Sequence, residues 1–91
     1  MKKQELDEKV IDAISFIQMS PNREKVLKDL KHELKIPTKV SKSTGISTAN
    51  VSRALQGLKQ KKLVICLNEK ANQGRLYQIT DLGLEILKYV K

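Results

Sequence analysis

A single glycine between two short, apolar-patterned segments constrains the fold of this chain more than any other feature. Gly45 follows a segment that contains Val40, precedes Ile46 and Ser47, and lies six residues before Val51. Glycine commonly ends a helix because it adopts positive φ without steric penalty, and serine is a favoured cap for the next one. The spacing of the apolar residues around the glycine packs two short helices against each other through a tight turn. The pattern therefore predicts a helix-turn-helix whose second helix keeps its outer face free.

Hydrophobic periodicity and capping residues predict the other elements. The predicted fold is mainly α with a small β-hairpin, in the order α-α-(β)-α-α-β-β-α. Lys35-Ile36 is a loop or a very short strand, and Gly57 is expected to fray the far end of its helix because glycine lowers helix propensity. The predicted helices span 4–19, 21–34 (after the cap Ser20), 37–44, 47–60 and 82–90 (after Thr80 or Asp81), and the strands span 63–68 and 75–79.

Length and composition narrow the class of protein. Ninety-one residues make a single domain, 1–91, with one modest core. The longest apolar run is the five residues 63–67, too short for a membrane span, and the first residues lack the apolar stretch of a signal peptide. One cysteine excludes an internal disulfide, and one cysteine with one histidine cannot form a four-ligand metal site. We therefore expect a reduced, cytoplasmic protein with no metal, no cofactor and no membrane partner.

The positive charge of the chain is concentrated in its middle. The net charge is +8, and residues 21–80 hold 13 basic and four acidic residues, whereas both ends are close to neutral. No acidic residue lies between Glu33 and Glu69. Most globular surfaces mix both signs, so a segregated basic region indicates a polyanion-binding protein.

The segment around Gly45 and the residues after it resemble the winged helix-turn-helix transcriptional regulators, most of all the MarR and ArsR groups and small archaeal relatives. The resemblance covers about residues 21–90 and implies a recognition helix at 47–60, a β-wing at 63–79 and a homodimer on a two-fold operator. The paired metal-binding cysteines and histidines of the metal-sensing members are absent, so metal sensing is not implied. The residues that carry the resemblance are Gly45-Ile46-Ser47, Val51-Ser52-Arg53-Ala54-Leu55, Leu58, Leu63-Val64, Gly74-Arg75-Leu76-Tyr77 and Thr80-Asp81-Leu82-Gly83.

Helical angles predict which side chains of the fourth helix face DNA. The buried edge is centred near Val51 and Leu55, and the opposite face carries polar side chains that suit a major groove. Arginine pairs with guanine, glutamine or asparagine pairs with adenine, and alanine contacts a thymine methyl group. The alternative is that these polar side chains are simply exposed to solvent on the outer face and contact no DNA. The predicted base contacts are Thr48, Ala49, Asn50, Ser52, Arg53 and Gln56.

Lysines around this face are predicted to contact phosphates, which set register without reading sequence. The predicted hairpin adds polar side chains that reach the adjacent minor groove or the backbone. For Arg75 the alternative is an ion pair with Glu69 across the hairpin. The predicted phosphate contacts are Lys39, Lys42, Lys59, Lys61 and Lys62, and the predicted wing contacts are Lys70, Asn72, Gln73 and Arg75.

Both terminal segments, 1–20 and 81–91, are apolar over wide arcs. This is more apolar surface than one small core needs, so we predict that they pair in a homodimer; the alternative is that they pack within one chain. Cys66 lies in an apolar strand, where packing is favoured over oxidation sensing. His32 is predicted to be an ordinary surface or boundary residue.

Three classes of function remain. The leading prediction is a sequence-specific, double-stranded DNA-binding transcriptional regulator. The alternatives are a non-specific architectural DNA-binding protein and a winged-helix module of an RNA or protein assembly. Three aromatic residues make a stacking platform for single strands poorly supported. The sequence carries no nucleophile–base set, phosphate loop or carboxylate pair, so we do not predict an enzyme.

Overall fold

The structure, a computed structural model, describes residues 8–90. Five helices and one antiparallel hairpin confirm the predicted mainly helical fold. Residues 4–7 of the predicted first helix, and residues 1–7 and 91 of the predicted dimerisation segments, lie outside the described residues. The elements are α1 Glu8–Gln18, α2 Pro21–Asp29, α3 Pro37–Thr44, α4 Thr48–Gln60, β1 Val64–Cys66, β2 Tyr77–Ile79 and α5 Asp81–Leu87.

Local capping sets where most of the helices begin. Ser20, Ser47 and Thr80 each accept a hydrogen bond from the backbone N–H three residues ahead, at 3.0–3.3 Å. Pro21 and Pro37 occupy first helical positions, where the missing N–H has no partner to lose. The choice between Thr80 and Asp81 as the last cap is thereby settled for Thr80.

The predicted end of α2 at Leu34 is wrong, because α2 ends at Asp29. The chain leaves the helix to reach the hairpin: Lys35 and Tyr77 exchange two backbone hydrogen bonds of 3.0 and 3.1 Å in an antiparallel bridge. Leu34, the predicted last residue of α2, is consequently 39% exposed and lies outside the core. Lys35 thus forms the very short strand that was one of its two predicted states.

The predicted fraying of α4 at Gly57 is also wrong, since α4 continues to Gln60. It ends in a Schellman motif, in which the N–H of Lys62 bonds to the Lys59 carbonyl (3.0 Å) and that of Leu63 to the Leu58 carbonyl (2.9 Å). Lys62 adopts φ 65°, a left-handed conformation that glycine usually supplies at this position.

The hairpin is shorter than predicted, with only the pairs Val64–Ile79, Ile65–Gln78 and Cys66–Tyr77 in register. A side chain explains where the ladder stops. The Asn68 side-chain Oδ1 accepts the Leu76 N–H at 2.7 Å, and the Asn68 side-chain Nδ2 donates to the Gly74 carbonyl at 3.2 Å.

One core joins all five helices to the hairpin. α2 lies at its centre and contacts α1, α3, α4 and α5, while α5 also packs against β2 and α1. This arrangement leaves the outer face of α4 and the hairpin tip exposed on the surface. The largest fully buried side chains are Ile17, Leu27, Leu30, Leu55, Leu58, Leu63, Ile86, Val26, Val40, Val51 and Val64.

Candidate nucleic-acid interface

Hydrogen bonds among neighbouring residues hold the turn between α3 and α4. Gly45 has φ 79° and donates its N–H to the Ser41 carbonyl at 2.9 Å. The Ser41 hydroxyl donates to the Ile46 carbonyl at 2.6 Å, and the Thr44 hydroxyl oxygen accepts the Ile46 N–H at 3.2 Å. Val40, Ile46 and Val51 are buried around this turn, as their spacing predicts. These contacts hold the turn that orients α4 relative to α3.

α4 separates its side chains into two faces. Val51, Ala54, Leu55 and Leu58 are buried. Five of the six predicted base-contacting residues are exposed on the outer side, and only Asn50 is half-buried. The exposed five are Thr48, Ala49, Ser52, Arg53 and Gln56.

A polar groove runs between the outer face of α4 and the hairpin tip. Ser52 and Gln56 line it from α4, and Asn72, Gln73 and Arg75 line it from the hairpin. No carboxylate lines this groove within the part of the chain that the structure describes. The groove therefore brings predicted base contacts and predicted wing contacts onto one continuous surface.

Arg75 does not form the predicted alternative ion pair with Glu69. Its Nε donates to the Ala71 carbonyl at 2.9 Å, which closes the hairpin tip, whereas Glu69 pairs with Lys59 at the end of α4. The remaining predicted wing residues Lys70, Asn72 and Gln73 are exposed in the tip.

The stretch without acidic residues acquires carboxylates from elsewhere in the fold. Three of its seven basic residues are ion-paired: Lys35 with Asp29 (3.0 Å), Lys59 with Glu69, and Lys61 with Asp12 (2.7 Å). Among residues 8–90, no carboxylate pairs with the other four, which are Lys39, Lys42, Arg53 and Lys62. Fewer basic residues of this stretch are therefore without a carboxylate partner than the sequence indicates.

Other site types find little support in the described residues. Between residues 8 and 90, no group of three or more His, Cys, Asp or Glu side chains is placed to hold a metal ion. No helix within that range has the length and apolar character needed to cross a membrane. Cys66 is half-buried in β1, and its Sγ lies 3.6 Å from the side-chain Oδ1 of Asn68. His32 is exposed.

The same arrangement of helices and hairpin occurs in solved structures. TubR from Bacillus thuringiensis serovar israelensis, bound to 24 bp of tubC, superposes with a TM-score of 0.74 at 15% identity, over 96% of this chain and 95% of that one. The homodimeric winged helix-turn-helix DNA-binding domain of a possible ArsR-family transcriptional regulator from Mycobacterium bovis gives 0.68 at 18% identity, over 98% and 85%. This chain has a winged helix-turn-helix fold.

A third structure, a mutant of ZitR from Lactococcus lactis, matches with a TM-score of 0.67 at 21% identity over 77% of this chain. This chain covers only 49% of the ZitR chain, about half its length. No protein-family model and no curated protein matches the sequence. In the winged helix-turn-helix, α3 and α4 form the helix pair and the β1–β2 hairpin is the wing.

The fold also brings together residues that sequence reasoning missed. The start of α2 lies beside α4, so Ser20, Asn22 and Arg23 line a second groove with Asn50 and Arg53, on a different part of α4 from the wing groove. The Arg23 guanidinium lies 3.7 Å from the centre of the Phe16 ring and donates to the Phe16 carbonyl at 3.0 Å. No local pattern reveals this neighbourhood, because it depends on how α2 crosses α4.

Proposed function

We propose that this protein is a sequence-specific, double-stranded DNA-binding transcriptional regulator that acts in the cytoplasm. One observation carries the proposal: the exposed polar face of α4 continues across a carboxylate-free groove to the tip of the wing. A surface without carboxylates does not repel a polyanion, and an exposed helix face with a neighbouring hairpin suits the grooves of duplex DNA. The likeness to TubR, which is bound to tubC DNA, and to a homodimeric DNA-binding domain supports it.

α4 would enter the major groove. An α-helix with side chains is about 10–12 Å across, and the major groove is about 12 Å wide. Arg53 and Gln56 offer the guanine- and adenine-pairing groups, Ala49 offers a methyl contact for thymine, and Ser52 and Thr48 offer hydroxyls.

Phosphate contacts would come from lysines around this helix. Lys39, Lys42 and Lys62 are the strongest candidates because no carboxylate within residues 8–90 pairs with them. Lys59 and Lys61 would have to exchange their carboxylate partners for phosphates. On the wing, Lys70, Asn72, Gln73 and Arg75 would contact the flanking minor groove or the backbone.

The test begins with duplexes selected from a random-sequence library. Binding to a selected duplex about a thousandfold tighter than to a scrambled one supports a regulator, and equal affinity identifies an architectural protein. Affinity should also fall steeply with salt, and a flat salt response would contradict DNA binding altogether. RNA or a protein bound in preference to duplex DNA would place the chain in an assembly instead.

Arg53→Ala should lower the free-energy difference between the preferred base and the other bases at one position of the duplex by about 1–3 kcal/mol. Lys31→Ala is the matched control, since it removes one exposed charge from the loop after α2, where Gln78 and Leu84 line the neighbouring groove. Uniform weakening by both variants would contradict the assigned base-facing side of α4.

The regulator would work as a homodimer through its terminal helices. α1 and α5 contact each other within the chain, which is the predicted alternative, yet Ile11 (50% exposed) and Tyr89 (43%) still present apolar surface outside the core. Pairing of these surfaces across a two-fold axis would bury them and place two copies of α4 on one duplex.

Sedimentation at micromolar concentration tests the dimer. A species of 10.3 kDa would contradict it, and one of twice that mass would support it. Ile11→Glu should then dissociate the dimer. Leu67→Glu, at a wing residue of similar exposure (47%), should leave it intact.

A further inference from the structure

Asn50 and Arg53 contact each other on the surface of α4. The Arg53 Nη1 donates to the Asn50 side-chain oxygen at 3.1 Å. The two residues are three apart on one helix, where side chains are neighbours. Asn50 is half-buried and lines the groove beside Ser20 and Arg23, whereas Arg53 is exposed. The Asn50 oxygen is therefore already used within the protein and is directed at Arg53.

The groove beside this pair also includes Arg23. Arg23 and Arg53 both line this groove, and the Arg23 guanidinium is held by the Phe16 ring and carbonyl. No carboxylate lines this groove among the described residues. Within this groove the described residues offer Arg53 no carboxylate partner, and the Asn50 side-chain oxygen is the acceptor that its guanidinium uses.

We propose that Asn50 is a positioning residue that holds Arg53 for base recognition, in place of the base contact predicted for Asn50 itself. The inference rests on the proposed function. With Nη1 bound to Asn50, the Nε–Nη2 edge of the guanidinium stays available, and this edge matches the O6 and N7 acceptors of guanine. Holding the side chain in place before binding lowers the entropy lost on binding.

The experiment uses the full chain and the duplex selected for it, with each base pair of that duplex changed in turn. The variants are Asn50→Ala, Arg53→Ala, the double variant, and Asn50→Asp, which keeps an oxygen acceptor. Alanine at Asn50 preserves the cap of α4, because the cap uses the backbone N–H of Asn50 and the Ser47 hydroxyl. Thermal unfolding monitored by circular dichroism checks that each variant is folded.

We expect Asn50→Ala to weaken binding of the selected duplex about three- to tenfold, the range for freeing one long side chain. Preference should flatten at the same base position that Arg53→Ala affects, and adding Asn50→Ala to Arg53→Ala should change nothing further. Asn50→Asp should retain the preference at that position. Additive effects, or flattening at a different base pair, would show that Asn50 contacts a base of its own and would overturn the proposal.

A measurement without DNA separates this inference from the proposed function. ¹⁵N relaxation of the Arg53 Nε in the unbound protein should show a more mobile side chain in Asn50→Ala than in the wild type or Asn50→Asp. Equal mobility in all three would overturn the positioning role even if the protein is a regulator. If the Arg53 side chain is restricted but the protein prefers no duplex over another, the proposed function is contradicted. The Asn50–Arg53 contact then has no role in base recognition.

Discussion

The Phe16 ring of α1 lies directly against Gly57 of α4. A Cβ atom built on Gly57 would lie 2.9 Å from Phe16 Cζ, closer than carbon atoms pack. Arg23 covers the ring at 3.7 Å from its centre. The absent side chain at Gly57 thus makes room for an aromatic ring that joins α1 to α4.

Gly57→Ala should therefore lower the free energy of unfolding, although alanine is the better helix former. The gain in helix propensity is about 1 kcal/mol, and crowding against Phe16 costs about 1–3 kcal/mol, so we expect a net loss of about 1 kcal/mol in urea unfolding. Phe16→Leu removes the ring atom that the added methyl group would meet. In the Phe16→Leu background, Gly57→Ala should instead raise the free energy of unfolding. Equal changes in the free energy of unfolding in both backgrounds would contradict the contact between Gly57 and the Phe16 ring.

Gly83→Ala is expected to be more damaging, because its neighbours are less able to move. A Cβ there would meet the backbone carbonyl oxygen of Leu63 and lie 2.7 Å from Ile79 Cγ1. Overpacking against backbone should lower the free energy of unfolding by about 3 kcal/mol in the same urea measurement. Glu85→Ala, on the exposed side of α5, should change it by less than about 0.5 kcal/mol. Similar losses in the two variants would contradict the close packing at Gly83.

These glycines show how far the sequence could predict the fold. Gly45 was predictable because its turn is local, as were the caps Ser20 and Ser47, while the last cap was narrowed to Thr80 or Asp81. Gly57 was not, since its role depends on a ring in a distant helix. The end of α2 was missed for the same reason, because Lys35 leaves the helical path to pair with Tyr77.

The candidate site likewise has parts that local sequence predicts and parts that depend on tertiary contacts. The exposed face of α4 follows from helical angles, which need no tertiary information. The carboxylate partners of Lys35, Lys59 and Lys61 lie outside the acid-free stretch, so no inspection of that stretch reveals them. Charge counted along the sequence therefore overstated the unpaired positive surface.

Lys62→Gly should raise stability and weaken DNA binding at once. Lys62 has φ 65°, and a side chain in the left-handed region costs about 1–2 kcal/mol, so glycine should raise the free energy of unfolding by about 1 kcal/mol. If Lys62 contacts a phosphate, affinity should fall equally for all duplexes, and the salt slope should lessen by about 0.9. Urea unfolding and anisotropy titrations at several salt concentrations measure the two effects. Lys62→Asn tolerates the same conformation and should match glycine in DNA binding; unchanged affinity in both variants would remove Lys62 from the interface.

Glu69→Gln should strengthen DNA binding without altering its sequence preference. Glu69 pairs with Lys59 at the end of α4, and both side chains are partly exposed, so the pair contributes less than about 1 kcal/mol to stability. Removing the carboxylate leaves Lys59 available to a phosphate, which should raise affinity for selected and scrambled duplexes alike and steepen the salt slope by up to about 0.9. Glu33→Gln makes the same charge change in the loop after α2, where Leu34 and Gln78 line the surface, and should have a much smaller effect. Equal gains from the two variants would mean that only the net charge matters, and that Lys59 does not lie at the DNA backbone.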